Sequence, residues 1–420
     1  MFRYIAFLSL FLCSSGLAEA RQLKLVTWNL GWHLSRAEAA SWIQKCGAPF
    51  RRNNATGLWE PAATGTPGWQ LEWKRDAPIV WDIAQWPPCN VYEASFEVVP
   101  VTVAAYDKRL DQIKALIAGT LMPDIIAFQE VSGEQAVRDV LPNAGADYYV
   151  CSFSDYKVQR LAFAWKKELG PAKECSVEKP LSLPSLSAKD QVRPGLSLEL
   201  EVDAGKFRLL NVHLKSSCVT PVEASGENGR GALAGNDQAC KILQQQIVPL
   251  ERWIETKSAD TARFVILGDF NRSLWHELHA SATIRTDGSD PSGPLPATAK
   301  VRSLIGEVND GTPNSSKLAL LKEVCPINQA AKAACEKAEN PGSVDEWRDA
   351  TKTLAAVEAL GCRNPVGLDH ILIATGLSAP GEAQKIALGR QGRTLPADAT
   401  HPNALLALSD HCPLLATIQY

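Results

Sequence analysis

The chain has 420 residues, 43 Lys and Arg against 46 Asp and Glu, and a formal net charge of −3. With 45% hydrophobic and 21% charged residues it is composed as a globular protein, which excludes a largely disordered or low-complexity chain. The balanced charge excludes a chain-wide basic footprint for nucleic acid but leaves room for a local basic groove.

Residues 1–20 read as a secretory signal. Arg3 gives a positive start, 5–13 a short apolar run, and Ala18-Glu19-Ala20 a small-x-small cleavage site. The run is shorter than the ~18 apolar residues of a spanning helix, and no later stretch reaches that length. Cleavage removes Cys13 from the eleven cysteines and leaves ten, an even number that suits disulfides in an exported chain. The mature protein is therefore expected to be secreted or periplasmic. Cys218 with Cys240 and Cys325 with Cys335 are plausible neighbours, and the full connectivity stays open. No Cys-x-x-Cys pair is present, which speaks against a thiolate metal site.

Short apolar runs at 23–28, 125–128, 161–165, 207–212, 264–267, 371–374 and 414–418 predict strands. Most are near-continuous, as expected where both faces of a sheet are covered. Apolar spacing predicts helices over 104–119, ended by Gly119, and over 239–256, where Pro249 should kink the helix. The order of these elements is that of a layered α/β domain. Two stretches read as insertions on it. Residues 41–100 hold six of the twelve Trp, and residues 280–360 combine a Pro/Gly/Ser loop with Ala/Lys/Glu-rich helical segments. The Trp cluster suits either a ligand platform or the segment's own small core, stapled by Cys46 and Cys89, and the core reading is preferred.

Polar residues recur at the ends of these strands. Asn29, Glu130, His213, and Asp269 with Asn271 each follow an apolar run, while Asp369 and the pair Asp410-His411 precede one. A single such residue is usually a turn or a cap. A series of six places suggests carboxylates, amides and imidazoles converging at one sheet edge.

The strings that carry this pattern are Thr27-Trp28-Asn29, Phe128-Gln129-Glu130-Val131, Asn211-Val212-His213-Leu214-Lys215-Ser216, Gly268-Asp269-Phe270-Asn271, Leu368-Asp369-His370-Ile371 and Ser409-Asp410-His411-Cys412-Pro413. In this order the chain resembles the endonuclease/exonuclease/phosphatase superfamily, which includes deoxyribonuclease I, exonuclease III-like repair nucleases, sphingomyelinases and inositol-polyphosphate 5-phosphatases. The resemblance implies a four-layered α/β/β/α sandwich with the site at one edge, here carrying two insertions.

It also implies roles. Glu130 matches the main metal ligand, with Asn29 beside it and Asp410 taking part. The ion is Mg2+ or Mn2+, with Ca2+ an alternative, because hard cations favour oxygen donors. Asp269 would orient water or hold metal, Asn271 would donate to a phosphate oxygen, and Asn211 is a further substrate-binding candidate. His411 matches the histidine that activates water or contacts phosphate, oriented by Asp369. His213 matches the second histidine, a phosphate binder or general acid. One departure stands out: where deoxyribonuclease I-like members pair the second histidine with Glu, the nearest residue here is Gln159.

The reaction implied is metal-dependent phosphodiester hydrolysis. A nucleic acid is the expected substrate. A phospholipid head group or small phosphoester is the alternative, supported by the Trp-rich segment. A purely binding role is opposed by the intact set of site residues. No obligate protein partner is expected.

Overall fold

The computed structural model describes residues 21–74, 76–203, 205–225, 230–233, 236–279, 303–309, 313–325, 329–356 and 358–420. Residues 1–20, read above as a secretory signal, and residues 280–302, in the stretch read as the second insertion, lie outside them. In chain order, β1 (Gln22–His33) leads to α1 (Arg36–Gly47) and the short strands β2 (Pro49–Arg52), β3 (Trp59–Pro61), β4 (Thr66–Pro67), β5 (Glu93–Ala94) and β6 (Glu97–Val98). Next come α2 (Val103–Leu116), β7 (Ile125–Val131), α3 (Glu134–Val140), β8 (Tyr148–Ser152), β9 (Arg160–Lys166), β10 (Glu174–Glu178), β11 (Gly195–Val202) and β12 (Gly205–His213). The chain continues through α4 (Gln238–Ser258), β13 (Phe264–Asp269), α5 (Leu274–His279), α6 (Leu304–Val308), β14 (Leu318–Leu320) and β15 (Glu323–Val324). It ends with α7 (Gln329–Glu339), α8 (Val344–Leu354), β16 (Asp369–Ala374), β17 (Ala383–Lys385) and β18 (Leu414–Gln419).

Two sheets form the centre. One runs β15-β17-β18-β1-β7-β9-β8 and the other β10-β11-β12-β13-β16-β14. The apolar runs are near-continuous because each strand feeds two cores with alternate residues. In β1, Leu23 and Leu25 pack between the sheets, while Val26, Trp28 and Leu30 face the layer that holds α1, α2 and α3. In β13, Val265 and Leu267 face the first sheet, and Phe264 and Ile266 face α4. The result is the four-layered α/β/β/α arrangement.

Local signals set the helix starts. Ser35 and Glu38 form a reciprocal cap on α1, Thr102 accepts from Ala105 N at the start of α2, and Asp237 accepts from Cys240 N at the start of α4. At Pro249, where a kink is expected, α4 continues as one helix. The missing N–H leaves only the carbonyl of Gln245 without its donor, and Gln245 is exposed to water.

The topology explains why distant residues share an edge. β1 and β7 are parallel neighbours with Asn29 opposite Gln129, and β12 and β13 are parallel neighbours with His213 opposite Asp269. All four strands therefore end at the same side. β16 runs antiparallel to β13 and starts there, with Asp369 opposite Asp269. β18 runs antiparallel to β1, so His411, just before it, lies at that edge too. The β12–β13 contact is tight: at Gly268 (φ 143°) a Cβ would lie 2.1 Å from the carbonyl oxygen of Val212. Only Gly allows that approach.

The insertions differ from expectation in two ways. Cys46 and Cys89 are bonded, but Trp42 and Trp69 are buried in the same core as α2 and β7, so the Trp-rich segment has no separate core. The second insertion is not only loop and helix. Its β14 pairs with β16 and its β15 with β17, so it adds a strand to each sheet. Strands of three and two residues are too short to show a period. The remaining disulfides are Cys218–Cys240 and Cys325–Cys335, as anticipated, with Cys151–Cys175 and Cys362–Cys412. Among the described residues no helix is long and apolar enough to cross a membrane.

Candidate active site

Asp269 is the hub. Its Oδ2 accepts from Asn29 Nδ2 at 3.0 Å and lies 3.5 Å from His213 Nε2 and 3.7 Å from His411 Nε2. Its Oδ1 accepts from the backbone N–H of Asn271 at 2.8 Å. That bond closes a turn in which Asn271 adopts φ 51°, a conformation Asn tolerates. Asn271 also donates from Nδ2 to the carbonyl of Leu214 at 3.0 Å, which leaves it one amide hydrogen for a ligand.

Glu130 reaches the site through a bulge. The β1–β7 and β7–β9 registers both shift beside it, and Glu130 itself sits at φ 56°. The bulge swings its carboxylate out of the helix-facing row toward the edge. There Oε2 accepts from Trp32 N at 3.1 Å and from Gln159 Nε2, and Oε1 lies 3.6 Å from His213 Nε2 and 3.9 Å from Arg193.

The two histidines sit in opposite electrostatic environments. Burial holds His213 well below the usual imidazole range, and Arg193 and His411 push it the same way. Burial also opposes a charged His411, but Asp369 and Asp269 outweigh it and raise that imidazole to about 10. His411 Nδ1 is 2.9 Å from Asp369 Oδ2, and Asn364 Nδ2 lies 3.1 Å from Nε2. Burial, with Asp369 adding its like charge, raises Asp269 to about 7. Environments that push neighbouring groups apart in this way assign them different roles at one pH.

Six of the nine expected residues thus come together: Asn29, Glu130, His213, Asp269, Asp369 and His411, with Asn271 directly behind Asp269. Two expectations change. Asn211 donates both amide hydrogens to the carbonyls of Phe128 and Ala162 (3.0 and 3.1 Å) and accepts from Gln129 at 2.8 Å. It pins β12 to β7 and β9 beneath the site and has no donor left for substrate. Gln159 does not serve His213. Its amide is spent on Glu130 and Arg193, and His213 Nδ1 is buried with no partner among the described residues. Asp410 is at the edge, but its half-buried carboxylate pairs with Arg363 at 2.9 Å and Asn364 at 3.1 Å. Burial acts to raise its pKa, yet His411 and Arg363 hold it below the usual value.

Arg193, Arg363 and Asn364 escaped the sequence reading, and Ser409 stood in its motif string without a role. Ser409 accepts from His411 N at 3.0 Å and donates to the carbonyl of Asn29, locking the His411 loop to β1. A signal for Arg363 and Asn364 was present: they follow Cys362, whose partner Cys412 adjoins His411. Nothing in the local sequence distinguishes Arg193 from a surface cation.

The donor set fits a divalent cation. The buried Asp269 and Asp369 sit side by side, the partly buried Glu130 approaches the same His213 Nε2 as Asp269 (3.6 and 3.5 Å), and Asp369 Oδ1 is buried with no hydrogen-bond partner among the described residues. Asp269, Asp369 and His411 place ligand-type atoms within 4.8 Å of one another, and with His411 held protonated the two carboxylates are the donors suited to an ion. Such a concentration of anionic oxygen is costly without a cation and suits hard ions. The other grouping of ligand-type side chains, Cys325, Cys335 and Glu339, is no thiolate site, because its cysteines are bonded to each other. Mg2+ at about 100 times its Kd is expected to stabilise the protein by about 2.7 kcal/mol, read as a rise in Tm over a chelated sample. Glu130→Gln is expected to remove most of that rise. An equal rise in the variant would place the ion elsewhere.

The model of the Endonuclease/Exonuclease/phosphatase family matches residues 89–411, and the chain belongs to that family. It is a phosphoric ester hydrolase of a class that generally uses divalent metal ions. No curated protein matches the chain. Similar solved structures include a family protein from Bacteroides thetaiotaomicron, at 12% identity over 96% of this chain and 99% of that one, TM-score 0.43. Others are beta toxin from Staphylococcus aureus, at 13% over 94% and 99%, TM-score 0.41, and the human nocturnin catalytic domain, at 14% over 78% and 91%, TM-score 0.37.

Proposed function

We propose that the protein is an exported, divalent-metal-dependent phosphodiesterase whose substrate is nucleic acid. The observation that carries the reading is the convergence of Asn29, Glu130, His213, Asp269, Asp369 and His411 at one edge, with Arg193 beside Glu130 and the exposed Arg363 beside Asp410. Guanidinium groups on two sides of the acidic corner suit a chain that carries phosphates on both sides of the scissile one. Glu130 and Asn29, with Asp410 in reserve, would hold the ion, which supplies charge neutralisation at the phosphate. Asp269, raised toward neutrality and oriented by Asn29 and Asn271, is the group suited to take a proton from water. His411, kept cationic by Asp369, donates from Nε2 to a phosphate oxygen. His213, neutral, faces Glu130 and Asp269 and completes the phosphate cradle. Export is supported by the signal-like residues 1–20 and the five disulfides.

The expected result is nicking of supercoiled plasmid with Mg2+, lost on chelation and lowered more than about 100-fold in His213→Ala. An untouched plasmid together with release of phosphocholine from sphingomyelin or phosphatidylcholine would move the substrate to lipid. That second reading has its own support: Phe96 is 100% exposed at the tip of the β5–β6 hairpin, in the same Trp-rich segment as the exposed Ile83 and Val80.

A further inference from the structure

Glu130 enters the acidic corner with one of its two oxygens already occupied. Its Oε2 accepts from the backbone N–H of Trp32 at 3.1 Å and from the side-chain amide of Gln159. An ionised carboxylate oxygen offers about two lone-pair directions, so both of those on Oε2 are in use. Its Oε1 has no hydrogen bond among the described residues. The neighbours of that oxygen are His213 Nε2 at 3.6 Å and Arg193 Nη2 at 3.9 Å.

Gln159 is the side chain that closes Oε2. Its amide lies between a cation and an anion: the amide oxygen accepts from Arg193 Nη2 at 2.6 Å, and the amide nitrogen donates to Glu130. A guanidinium has only donors, so the amide oxygen must face Arg193, and the amide nitrogen is left for the carboxylate. A carboxylate at this position could accept from Arg193 but could not donate to Glu130. The backbone under the amide is held as well. Arg160 N donates to the carbonyl of Val158 at 3.1 Å, closing a tight turn around Gln159, and Val158 N donates to the carbonyl of Ala84 at 2.7 Å. The Arg160 guanidinium bonds the carbonyl of Ser132, two residues past Glu130, which ties the loop that carries Gln159 to the bulge that carries Glu130.

The number of free carboxylate oxygens bears on which ion fits. Ca2+ gathers about six to eight oxygens in a flexible shell and readily takes a carboxylate through both of its oxygens. Mg2+ demands a near-octahedral shell and is served by single carboxylate oxygens, with water and phosphate completing it. We infer that Gln159, oriented by Arg193, is a positioning residue that presents Glu130 through Oε1 alone and so tilts the centre toward Mg2+ and away from Ca2+. The inference rests on the reading of Glu130 as a metal ligand.

Titration calorimetry of the whole mature protein with MgCl2 and with CaCl2 tests it, since the readout is ion affinity and not turnover. Gln159→Leu, which removes the donor and frees a lone pair on Oε2, is expected to raise the affinity for Ca2+ relative to Mg2+ about ten-fold, the scale on which an outer partner tunes a metal ligand. Arg193→Met, which leaves the amide free to turn over, is expected to shift the ratio the same way by a smaller factor. A ratio within about two-fold of wild type in a folded Gln159→Leu overturns the inference. Crystals of the wild type grown with Ca2+ give a second measurement that needs no variant to fold. Glu130 bound through Oε1 alone supports the inference, and binding through both oxygens overturns it. Glu130→Gln tells its failure from that of the underlying reading. If this variant loses affinity for both ions while Gln159→Leu keeps the wild-type ratio, the selectivity role alone is overturned. If it binds both ions as the wild type does, Glu130 is no ligand and the two readings fall together.

Discussion

His411→Ala will lower kcat for phosphodiester hydrolysis by about 10²–10⁴-fold, the usual worth of a positioned proton donor or acceptor. The expectation follows from what surrounds the ring. His411 is buried yet pushed up to about 10 by Asp369 and Asp269, so at neutral pH it is a fixed cation. Its Nδ1 is tied to Asp369 at 2.9 Å, and its Nε2, 3.1 Å from the Asn364 amide and 3.7 Å from Asp269, is the group on the side of the acidic corner that can address a phosphate oxygen. The same substitution leaves Asp369, itself fully buried, with both oxygens unpartnered. Removing one member of a buried ion pair costs roughly 3–5 kcal/mol, so activity and stability should fall together. The double variant Asp369→Asn/His411→Ala separates the two effects. It should regain part of the stability lost by His411→Ala and none of the activity. Steady-state kinetics with urea denaturation of the three variants decides this. Activity within three-fold of wild type in His411→Ala would remove the imidazole from the reaction.

The second large effect is expected far from the reacting atoms. Arg109 on α2 is 1% exposed, and its hydrogen bonds among the described residues go to backbone carbonyls and a histidine. Its Nε donates to the carbonyl of Ala407 at 2.9 Å, and Nη2 donates to those of Leu30 at 2.9 Å and Leu408 at 2.6 Å. Nη1 lies 2.7 Å from His33 Nδ1. Burial and the nearby guanidinium hold His33 well below the usual imidazole range, so it is neutral. Nδ1 therefore accepts, and Nε2 carries the proton toward the carbonyl of Ala136 at 3.1 Å. One guanidinium thus joins the end of β1, just past Asn29, to the segment that leads into Ser409-Asp410-His411. Arg109→Ala strands three carbonyls and a ring nitrogen in the interior and should cost roughly 3–5 kcal/mol. Because the strapped segment carries His411, kcat should also fall in the fraction that stays folded. A loss below about 1 kcal/mol in chemical denaturation would mean that water replaces the guanidinium.

The strands were legible because each is covered on both sides. Residues such as Leu25 and Val26 feed opposite cores, and that leaves an unbroken apolar string in the sequence. The site was legible for a related reason, since a polar residue that ends such a string must sit at the rim. Depth along the strand was not legible. Asn211 and His213 have the same parity on β12, yet one is two residues deeper and belongs to the floor between the sheets. Register across a loop was equally hidden, and Gln159 falls on Glu130 rather than His213 for that reason. Arg109 and Arg193 act through partners up to some 300 positions away in sequence, which no local pattern records.

Cys362 and Cys412 form a covalent clasp around the acidic corner, since one adjoins Arg363 and Asn364 and the other adjoins His411. Disulfides form and persist in oxidising compartments and are rare in reducing ones, so this clasp closes only where thiols can be oxidised. For a chain that is exported, as proposed above, the corner would be completed only outside the compartment of synthesis. Oxidation would then fix Arg363 and Asn364 against Asp410 and His411, coupling assembly of the corner to the surroundings rather than to a separate partner.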